Sequence, residues 1–279
     1  MKVVRTIADA RRAIDALRDG RRVGFVPTMG ALHEGHLSLI RLARETCDVV
    51  VLSIFVNPLQ FSPSEDLDKY PRDEHRDLEK AERERVDVVF LPSVEEMYPP
   101  GATVRVSAGE LGEILEGASR PGHFDGVATV VTKLFNVVRP DVAVFGQKDA
   151  QQVAVVRSLV RDLDIGIEIL VGPTVREPDG LALSSRNVYL SPEQRGSALS
   201  LWRALQAGVR RLNGDADPEA AAKEMWAELT ADGGVQPDYA VAVDPRDMGP
   251  PRPGGPILLA VAARVGPTRL IDNVLYEAG

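Results

Sequence analysis

The sequence predicts an α/β protein, a doubly wound parallel sheet joined to a second, smaller α+β domain. In the first part of the chain, short runs that are apolar throughout alternate with helical patterns, which is typical of parallel strands covered on both faces. After Gly172-Pro173 the pattern changes to two helices followed by three strands. The length of 279 residues allows one large or two moderate domains. We therefore expect domains at residues 1–175 and 176–279.

Hydrophobic spacing defines the elements of the first domain. Apolar residues from Ile7 to Leu17 recur at helical spacing after Thr6, a capping residue, and residues 1–5 are expected to lead directly into this helix. The other predicted helices begin at His36 or span about Arg72–Arg85, Phe124–Val138 and Ala150–Leu163. The predicted strands are Val23–Val26, Val49–Val56, Val86–Leu91, Val142–Phe145 and Ile165–Val171.

Two helices and three strands are predicted for the second domain. They are helices near Pro192–Leu212 and Pro218–Leu229 and strands at Tyr239–Val243, Ile257–Ala263 and Thr268–Val274. We expect the turn-rich stretch Pro245–Pro256 to be an ordered, hairpin-like loop, because the strands beside it are too few to stand alone.

Composition and charge narrow the functional class. A hydrophobic content of 44% with 27% charged residues is ordinary for a soluble protein with a core. No apolar run approaches the length of a membrane span, and the N-terminus lacks the apolar block of a signal peptide, so we expect a cytoplasmic protein. The net charge of −8 argues against a protein that coats nucleic acid, because that task needs a basic face. The single cysteine, Cys47, is expected to be buried.

The most informative motif is His33-Glu34-Gly35-His36, which follows the apolar run Val23–Pro27 and opens a helix. N–H groups at a helix start attract negative charge, and residues three apart share a helix face. Both imidazoles are therefore expected to point at one polyphosphate. Gly35 is expected to let a ligand approach the backbone closely. The alternative is two solvated histidines that are neighbours by chance.

Two amide side chains follow the second long strand. Asn57 and Gln60 lie at the carboxyl end of a parallel strand, the edge at which open sheets bind ligands. Uncharged amides at this edge suit the recognition of hydroxyl groups and a carboxylate. Taken alone, Asn57-Pro58 is equally compatible with a simple turn.

A third strand end carries Gly146, Lys148, Asp149 and Gln152. Lys148 lies where a phosphate would meet both the helix dipole and an ammonium group. Asp149 is placed to take a ribose hydroxyl, and Gln152 projects from the first helical turn. A solvated lysine is the general alternative, but recurrence at the same sheet edge as the two preceding motifs argues against it.

The stretch Ser184–Asn187 follows a turn, Pro178–Gly180, that we expect to be flexible. Two hydroxyls and a guanidinium on a mobile loop suit a lid that holds a triphosphate and stabilises developing charge. A glycine-rich segment, Glu116–Gly126, is basic at Arg120. It is a candidate for a position near the ligand or for a cap on the following helix.

Together these motifs resemble the pantoate–β-alanine ligase (pantothenate synthetase) family, and the resemblance runs over nearly the whole chain. The stretches that carry it are Val26–His36, Phe55–Phe61, Asp66–Arg72, Arg120–Phe124, Phe145–Asp149 and Ser184–Asn187. The H-x-G-H motif alone is shared with a broad nucleotidyl-transferring superfamily. The amide-bearing and glycine-rich segments are similar to this ligase only.

The resemblance implies a Rossmann-like fold and an ATP-dependent condensation of pantoate with β-alanine through a pantoyl adenylate, with Mg²⁺ and release of AMP and diphosphate. It also implies a homodimer, ATP and pantoate binding by the first domain, and a lid in the second. The implied catalytic residues are His33, His36, Lys148, Ser184, Ser185 and Arg186. The implied ATP-binding residues are Met29, His36, Gly146, Lys148, Asp149, Val175, Ser184, Ser185 and Arg186. The implied substrate-binding residues are Gln60, Gln152, Met29 and Asn57. Direct Mg²⁺ ligands stay unassigned, with Asp77 as a candidate.

A carboxylate resists attack by an amine until one of its oxygens becomes a good leaving group, which adenylation achieves. No cysteine or serine with an attendant base is visible in the sequence, so positioning and electrostatics fit better than a covalent enzyme intermediate. Two alternatives stay open. One is a nucleotidyltransferase that acts on a phosphorylated small molecule, and the other is a nucleotide-binding regulator without catalytic activity.

Overall fold

The computed structural model describes residues 1–61, 67 and 70–277, so part of the stretch Asp66–Arg72 lies outside the described residues. Contacts divide the chain into two compact units. The N-terminal unit comprises Met1–Gly146 and Val155–Gly172, and the C-terminal unit comprises Gln147–Ala154 and Pro173–Gly279. Contacts thus group residues 147–154 with the later part of the chain. The contiguous division at residue 175 stays a prediction.

Within the described residues, a six-stranded parallel sheet forms the centre of the N-terminal unit, which confirms the predicted fold class. Its strands are β1 (Lys2–Val4), β2 (Val23–Thr28), β3 (Val49–Ile54), β4 (Val88–Phe90), β5 (Val142–Gly146) and β6 (Glu168–Gly172). The strand order is β1-β4-β3-β2-β5-β6, and neighbouring strands run parallel. Nearly all residues of the central strands β2 and β3 are buried, as expected for a sheet covered on both faces.

Helices of the N-terminal unit follow the strands, and the last of them begins in the C-terminal unit. They are α1 (Ile7–Arg18), α2 (Glu34–Thr46), α3 (Glu74–Arg83), α4 (Val94–Met97), α5 (Glu116–Ser119), α6 (His123–Val138) and α7 (Ala150–Asp162). Thr6 caps α1 as predicted, because its side chain accepts a hydrogen bond from the backbone N–H of Asp9. The buried face of α6 carries apolar side chains along most of its length.

The N-terminal residues form a strand, which the sequence analysis did not predict. Lys2, Val3 and Val4 pair in parallel with Val88–Phe90 of β4. A strand of three residues is too short to show a periodic pattern. Its partner lies more than eighty positions along the chain, so only tertiary pairing with β4 gives β1 its conformation.

The C-terminal unit is α+β, as predicted. It contains α8 (Pro192–Asp215), α9 (Pro218–Thr230) and an antiparallel sheet of β7 (Val235–Val243), β8 (Ile257–Val265) and β9 (Thr268–Tyr276) in the order β7-β8-β9. Leu201 and Leu205 of α8 and Met225 of α9 share a buried cluster with Leu259 of β8. Among the described residues, no helix is both long enough and apolar enough to cross a lipid bilayer.

Strand β7 begins at Val235, four residues before its predicted start at Tyr239. The pairing with β8 is irregular between Pro237 and Tyr239. Proline has no backbone N–H to donate and normally marks an edge or a bulge. For this reason the sequence pattern did not predict the first half of this edge strand.

Candidate active site

A buried carboxylate shapes the loop after β2. Asp77 of α3 is 3% exposed and accepts hydrogen bonds from the backbone N–H groups of Ala31 (2.8 Å) and Leu32 (2.7 Å). Gly30 has a φ of +82°, and a Cβ there would lie 2.9 Å from the Asp77 carboxylate, so this turn requires glycine. Asp77 therefore supports the backbone that leads to His33. Because both its oxygens accept backbone N–H groups, this arrangement disfavours Asp77 as a Mg²⁺ ligand.

His33 and His36 lie side by side at the start of α2. Their ring centroids are 4.1 Å apart, and the ring planes make an angle of 38°. The backbone N–H of His33 donates to Nδ1 of His36 (3.3 Å), so a neutral His36 carries its proton on Nε2. The helix begins at Glu34, two residues before its predicted start, and His33 is the residue that caps it. The histidines and the N–H groups of the first turn together suit an anion.

Gly35 lies directly beside the ring of His33. A Cβ on Gly35 would lie 3.0 Å from Cε1 and 3.1 Å from Nδ1 of His33. The missing side chain therefore leaves room for the imidazole of His33, and an added Cβ would require that ring to shift by a few tenths of an ångström. The close approach of a ligand to this backbone stays a prediction.

Asn57 orients the amide of Gln60. It is 1% exposed, and its Nδ2 donates to Gln60 Oε1 (3.0 Å) and to the Gly126 carbonyl (3.1 Å). Its Oδ1 accepts a hydrogen bond from the Tyr98 hydroxyl (2.8 Å). With Oε1 held in this way, Nε2 of Gln60 points toward Met29 Sδ (3.2 Å). Because protein acceptors use both N–H groups of Asn57, we expect Asn57 to position Gln60 rather than to contact substrate.

The backbone of Gln60 is held by two residues, His123 and Arg120, to which the sequence analysis assigned no role in the site. Nδ1 of His123 lies 2.8 Å from the Gln60 carbonyl, and the Arg120 guanidinium donates to the same carbonyl (3.4 Å). Arg120 Nη1 also lies 2.9 Å from Nε2 of His123, which is 8% exposed. Both residues belong to the glycine-rich segment Glu116–Gly126, for which the sequence suggested either a position near the ligand or a helix cap. Its contact with Gln60 joins residues about sixty positions apart, which no local pattern reveals.

In the C-terminal unit, Lys148 lies in the 3-10 turn Gln147–Asp149, directly before α7. Its side chain is 19% exposed, and Nζ lies 3.6 Å from Oδ1 of Asp149, whose side chain is 51% exposed. Gln152 is partly buried in the first turn of α7. Gly146 is the last residue of β5, in the N-terminal unit. The predicted passage from a strand end to a helix start is confirmed, and the structure adds a 3-10 turn between them.

The segment before Ser184 is a hairpin braced by hydrogen bonds, and the flexibility expected for its Pro178–Gly180 turn stays a prediction. The backbone N–H of Leu183 donates to the Val175 carbonyl (2.9 Å). Arg176 donates to the Gly180 carbonyl (3.1 Å) from the opposite arm. Proline and glycine indicate that the chain turns here. They do not reveal which side chains brace the turn, and that depends on the surrounding unit.

The hydroxyl of Ser184 caps a second 3-10 turn, Ser185–Tyr189, by accepting a hydrogen bond from the backbone N–H of Arg186 (3.2 Å). Ser184 and Ser185 are partly buried, and Arg186 is exposed. Two hydroxyl groups and a guanidinium therefore follow one another directly after the braced hairpin. This set can donate hydrogen bonds to phosphate oxygens.

Among the described residues, no group of three or more His, Cys, Asp or Glu side chains is placed to hold a metal ion. In nucleotide enzymes Mg²⁺ is commonly held by substrate phosphates and water with one or two carboxylates. The residues present are compatible with a Mg²⁺ ion that arrives with a nucleotide and takes few protein ligands.

Known proteins match this chain along almost its entire length. A family model described as Pantoate-beta-alanine ligase matches residues 2–275. The pantothenate synthetase of Thermotoga petrophila is 52% identical over 278 residues, which are 99% of each chain. That of Moorella thermoacetica is 54% identical over 280 residues, again 99% of each chain.

Two solved structures also match nearly the whole chain. The crystal structure of pantothenate synthetase from Thermus thermophilus matches with a TM-score of 0.91 at 48% identity, covering 98% of this chain and 99% of that one. The pantoate–β-alanine ligase of Francisella tularensis, complexed with β-γ ATP and β-alanine, matches with a TM-score of 0.80 at 37% identity over 100% of this chain and 99% of that one. The chain therefore belongs to the pantoate–β-alanine ligase family.

Proposed function

We propose that this protein condenses pantoate with β-alanine to form pantothenate, using ATP, through a bound pantoyl adenylate and with release of AMP and diphosphate. The observation that carries this function is the pair of imidazoles, 4.1 Å apart at the start of α2, in a chain that the ligase family model matches over residues 2–275. ATP and β-alanine are the compounds bound by the similar ligase of Francisella tularensis.

In the N-terminal unit, His33 and His36 are the proposed phosphate contacts. Nε2 of Gln60 carries two N–H groups, and the Met29 thioether uses at most one of them, so Gln60 suits a pantoate carboxylate or hydroxyl. The Met29 backbone is the proposed contact for both ATP and pantoate. Gly146, at the end of β5, is proposed to contact the nucleoside.

In the C-terminal unit, the proposed phosphate ligands are Lys148, Ser184, Ser185 and Arg186. Lys148 adds an ammonium group directly before a helix start, where the dipole favours anions. Asp149 and Val175 are proposed to hold the nucleoside, and Gln152 to bind pantoate. For the domain roles we keep the contiguous division as a proposal, with a nucleotide- and pantoate-binding domain at residues 1–175 and a lid at 176–279.

The proposed chemistry has two displacement steps. A carboxylate oxygen of pantoate attacks the α-phosphorus of ATP, and the bond to diphosphate breaks. The β-alanine amine then attacks the acyl carbon, AMP leaves, and the amine nitrogen loses a proton. Donors such as Lys148 and Arg186 act by stabilising charge on the phosphates. Cys47 is an unsuitable nucleophile, because it is buried and burial raises its pKa.

Mg²⁺ is proposed to enter with ATP, where it neutralises phosphate charge and is held chiefly by phosphate oxygens and water. We further propose a cytoplasmic homodimer that forms through the N-terminal domain. Sedimentation equilibrium at micromolar concentration tests the oligomeric state, and a monomer at all concentrations would contradict the dimer.

A rapid-quench experiment tests the function. Protein mixed with ATP, Mg²⁺ and pantoate should release about one equivalent of diphosphate per active site and then stop, because the adenylate is held until an amine arrives. Addition of β-alanine should then release AMP and start turnover. Omission of each compound in turn, with AMP as the readout, identifies which substrates are required.

Other outcomes of this experiment would favour the alternatives. Diphosphate release that needs a phosphorylated acceptor instead of pantoate, with a dinucleotide-like product, indicates a nucleotidyltransferase. ATP binding without AMP or diphosphate under any condition indicates a regulator. Sustained diphosphate release without β-alanine would contradict retention of the adenylate.

A further inference from the structure

A buried amide on β9 holds the turn that carries Lys148. Asn273 is 4% exposed, and its Nδ2 donates to the carbonyls of Gln147 (3.0 Å) and Lys148 (2.8 Å). Its Oδ1 accepts a hydrogen bond from Nε2 of Gln147 (2.9 Å). Both N–H groups of Asn273 and one lone pair of its oxygen are thus directed at a single turn, 125 positions away in the sequence.

A second set of contacts fixes Asn273 itself. Its backbone N–H donates to Oδ1 of the neighbouring Asp272 (2.7 Å), which is also 4% exposed. Arg176 donates to both carboxylate oxygens of Asp272 (2.6 and 2.9 Å) and to the Asn273 carbonyl (3.3 Å). The Arg176 guanidinium lies 3.9 Å from the ring centroid of Trp202. Arg176 belongs to the hairpin that leads to Ser184, so the same cluster supports both phosphate-binding segments of the C-terminal unit.

We propose that Asn273 is a positioning residue for Lys148, an inference that rests on the proposed phosphate-binding role of Lys148. Asn273 sets the position of the backbone from which the lysine ammonium reaches the phosphates. The physical reason is the steep dependence of rate on placement, since an error of about 1 Å in a reacting group costs on the order of 10²-fold. Without the two donors, the carbonyls of Gln147 and Lys148 would lose the partner that holds them in place.

The decisive variant is Asn273→Asp, which keeps the size of the side chain and an acceptor for Gln147. It replaces both N–H donors with an oxygen that faces two carbonyls. We expect single-turnover diphosphate release at saturating ATP and pantoate to slow by about 10- to 100-fold. Thr268→Ser is the matched control, because Thr268 is buried on the same strand and makes none of these bonds. It should react at the parental rate.

A double-mutant cycle with Lys148→Ala separates positioning from general damage. If Asn273 acts through Lys148, Asn273→Asp should slow the Lys148→Ala protein by less than about threefold. An equal loss in both backgrounds, or parental adenylation by Asn273→Asp, would overturn the proposal. If the Asn273 variants do not fold, Gln147→Leu takes their place. It removes the bond that orients the Asn273 amide, so it should slow diphosphate release by less than Asn273→Asp does. This slowing should also disappear in the Lys148→Ala background.

Hydrogen exchange keeps this test independent of the proposed function. In Asn273→Asp, amides of residues 147–152 should exchange faster than in the parent, while Thr268→Ser should leave them unchanged. Unchanged exchange in Asn273→Asp would refute the role of Asn273 in holding the turn Gln147–Asp149. A parent protein that releases no diphosphate from ATP and pantoate would instead refute the proposed function, whatever the exchange result.

Discussion

Single residues of the candidate site differ in what their polar atoms face. Asn57 directs both N–H groups and its oxygen at protein atoms, whereas Gln60 directs Nε2 at a thioether, which is a weak acceptor. Residues of the first kind set geometry, and residues of the second kind keep a donor for a ligand. Residue type alone does not distinguish them, because both side chains end in the same amide group.

Replacement of Gln60 by alanine should weaken the binding of pantoate far more than the binding of ATP. Loss of one hydrogen bond to a charged carboxylate costs on the order of 1.5–3 kcal/mol, roughly a ten- to hundredfold effect on the dissociation constant. Equilibrium binding of each substrate measures this effect. Lys148→Ala is the contrasting variant, and it should slow adenylation by about 10²–10³-fold. Loss of mainly ATP affinity in Gln60→Ala would show that its role is assigned incorrectly.

The hydroxyl of Tyr98 makes the free energy of unfolding depend on pH in the alkaline range. Burial raises the pKa of Tyr98 to about 12, partly opposed by Arg105, and the protonated hydroxyl donates to Asn57 Oδ1. The folded state therefore holds this proton more tightly than the unfolded state, whose tyrosine titrates near pH ~10. The contribution of Tyr98 to the free energy of unfolding is complete below about pH 10 and is lost as the pH rises toward about 12.

The parent should accordingly exceed Tyr98→Phe in unfolding free energy by about 1 kcal/mol at neutral pH, the usual net value of one hydrogen bond. That difference should shrink as the pH is raised above about 10. Urea unfolding of both proteins across this range measures it. A difference that stays constant with pH would mean that the Tyr98 proton is not linked to folding.

At the scale of elements, the backbone of α6 contacts the 3-10 turn Pro58–Gln60. This contact positions Gln60. A Cβ on Gly126 of α6 would lie 2.3 Å from the Leu59 carbonyl oxygen and 2.7 Å from the Gln60 nitrogen. No real side chain tolerates such distances, so the helix approaches the turn this closely only because residue 126 is glycine.

Gly126→Ala should therefore destabilise the protein by about 1–3 kcal/mol, the usual range for overpacking, and raise the KM for pantoate more than that for ATP. Gly196→Ala in α8 is the matched control, because no atom lies within 4 Å of its added Cβ. It should instead stabilise by about 0.4–1 kcal/mol. Thermal unfolding and substrate titration of both variants test the pair. Equal stability of the two variants would rule out the close contact.

At the scale of the whole molecule, similarity to the ligase family extends over both units, from residue 2 to residue 275. Contacts place Lys148 and Gln152 in the C-terminal unit, with the hairpin that leads to Ser184. Membership of a unit is therefore decided by contacts such as those of Asn273, and not by order along the chain. The N-terminal unit keeps the histidine pair and Gln60.

The second step of the reaction, amide formation, should become faster as the pH rises. Attack on the adenylate requires a neutral β-alanine amine, and aliphatic ammonium groups lose their proton near pH ~10. Amide formation should therefore accelerate from neutral toward mildly alkaline pH, by up to about tenfold per pH unit. Preformed adenylate mixed with β-alanine at several pH values isolates this step. A flat profile would show that the protein itself removes the proton or that another step limits the rate.

The sequence by itself determined the fold class, the long helices, the central strands and the family, because these depend on periodicity and on contiguous motifs such as His33–His36. Only the tertiary structure decided which residues hold the site. It paired Lys2–Val4 with β4, directed Asp77 at a backbone loop, placed His123 on the Gln60 carbonyl and joined Asn273 to Lys148. Each of these contacts joins segments between 45 and 125 positions apart, and such partners are set by how elements pack, which no local pattern encodes.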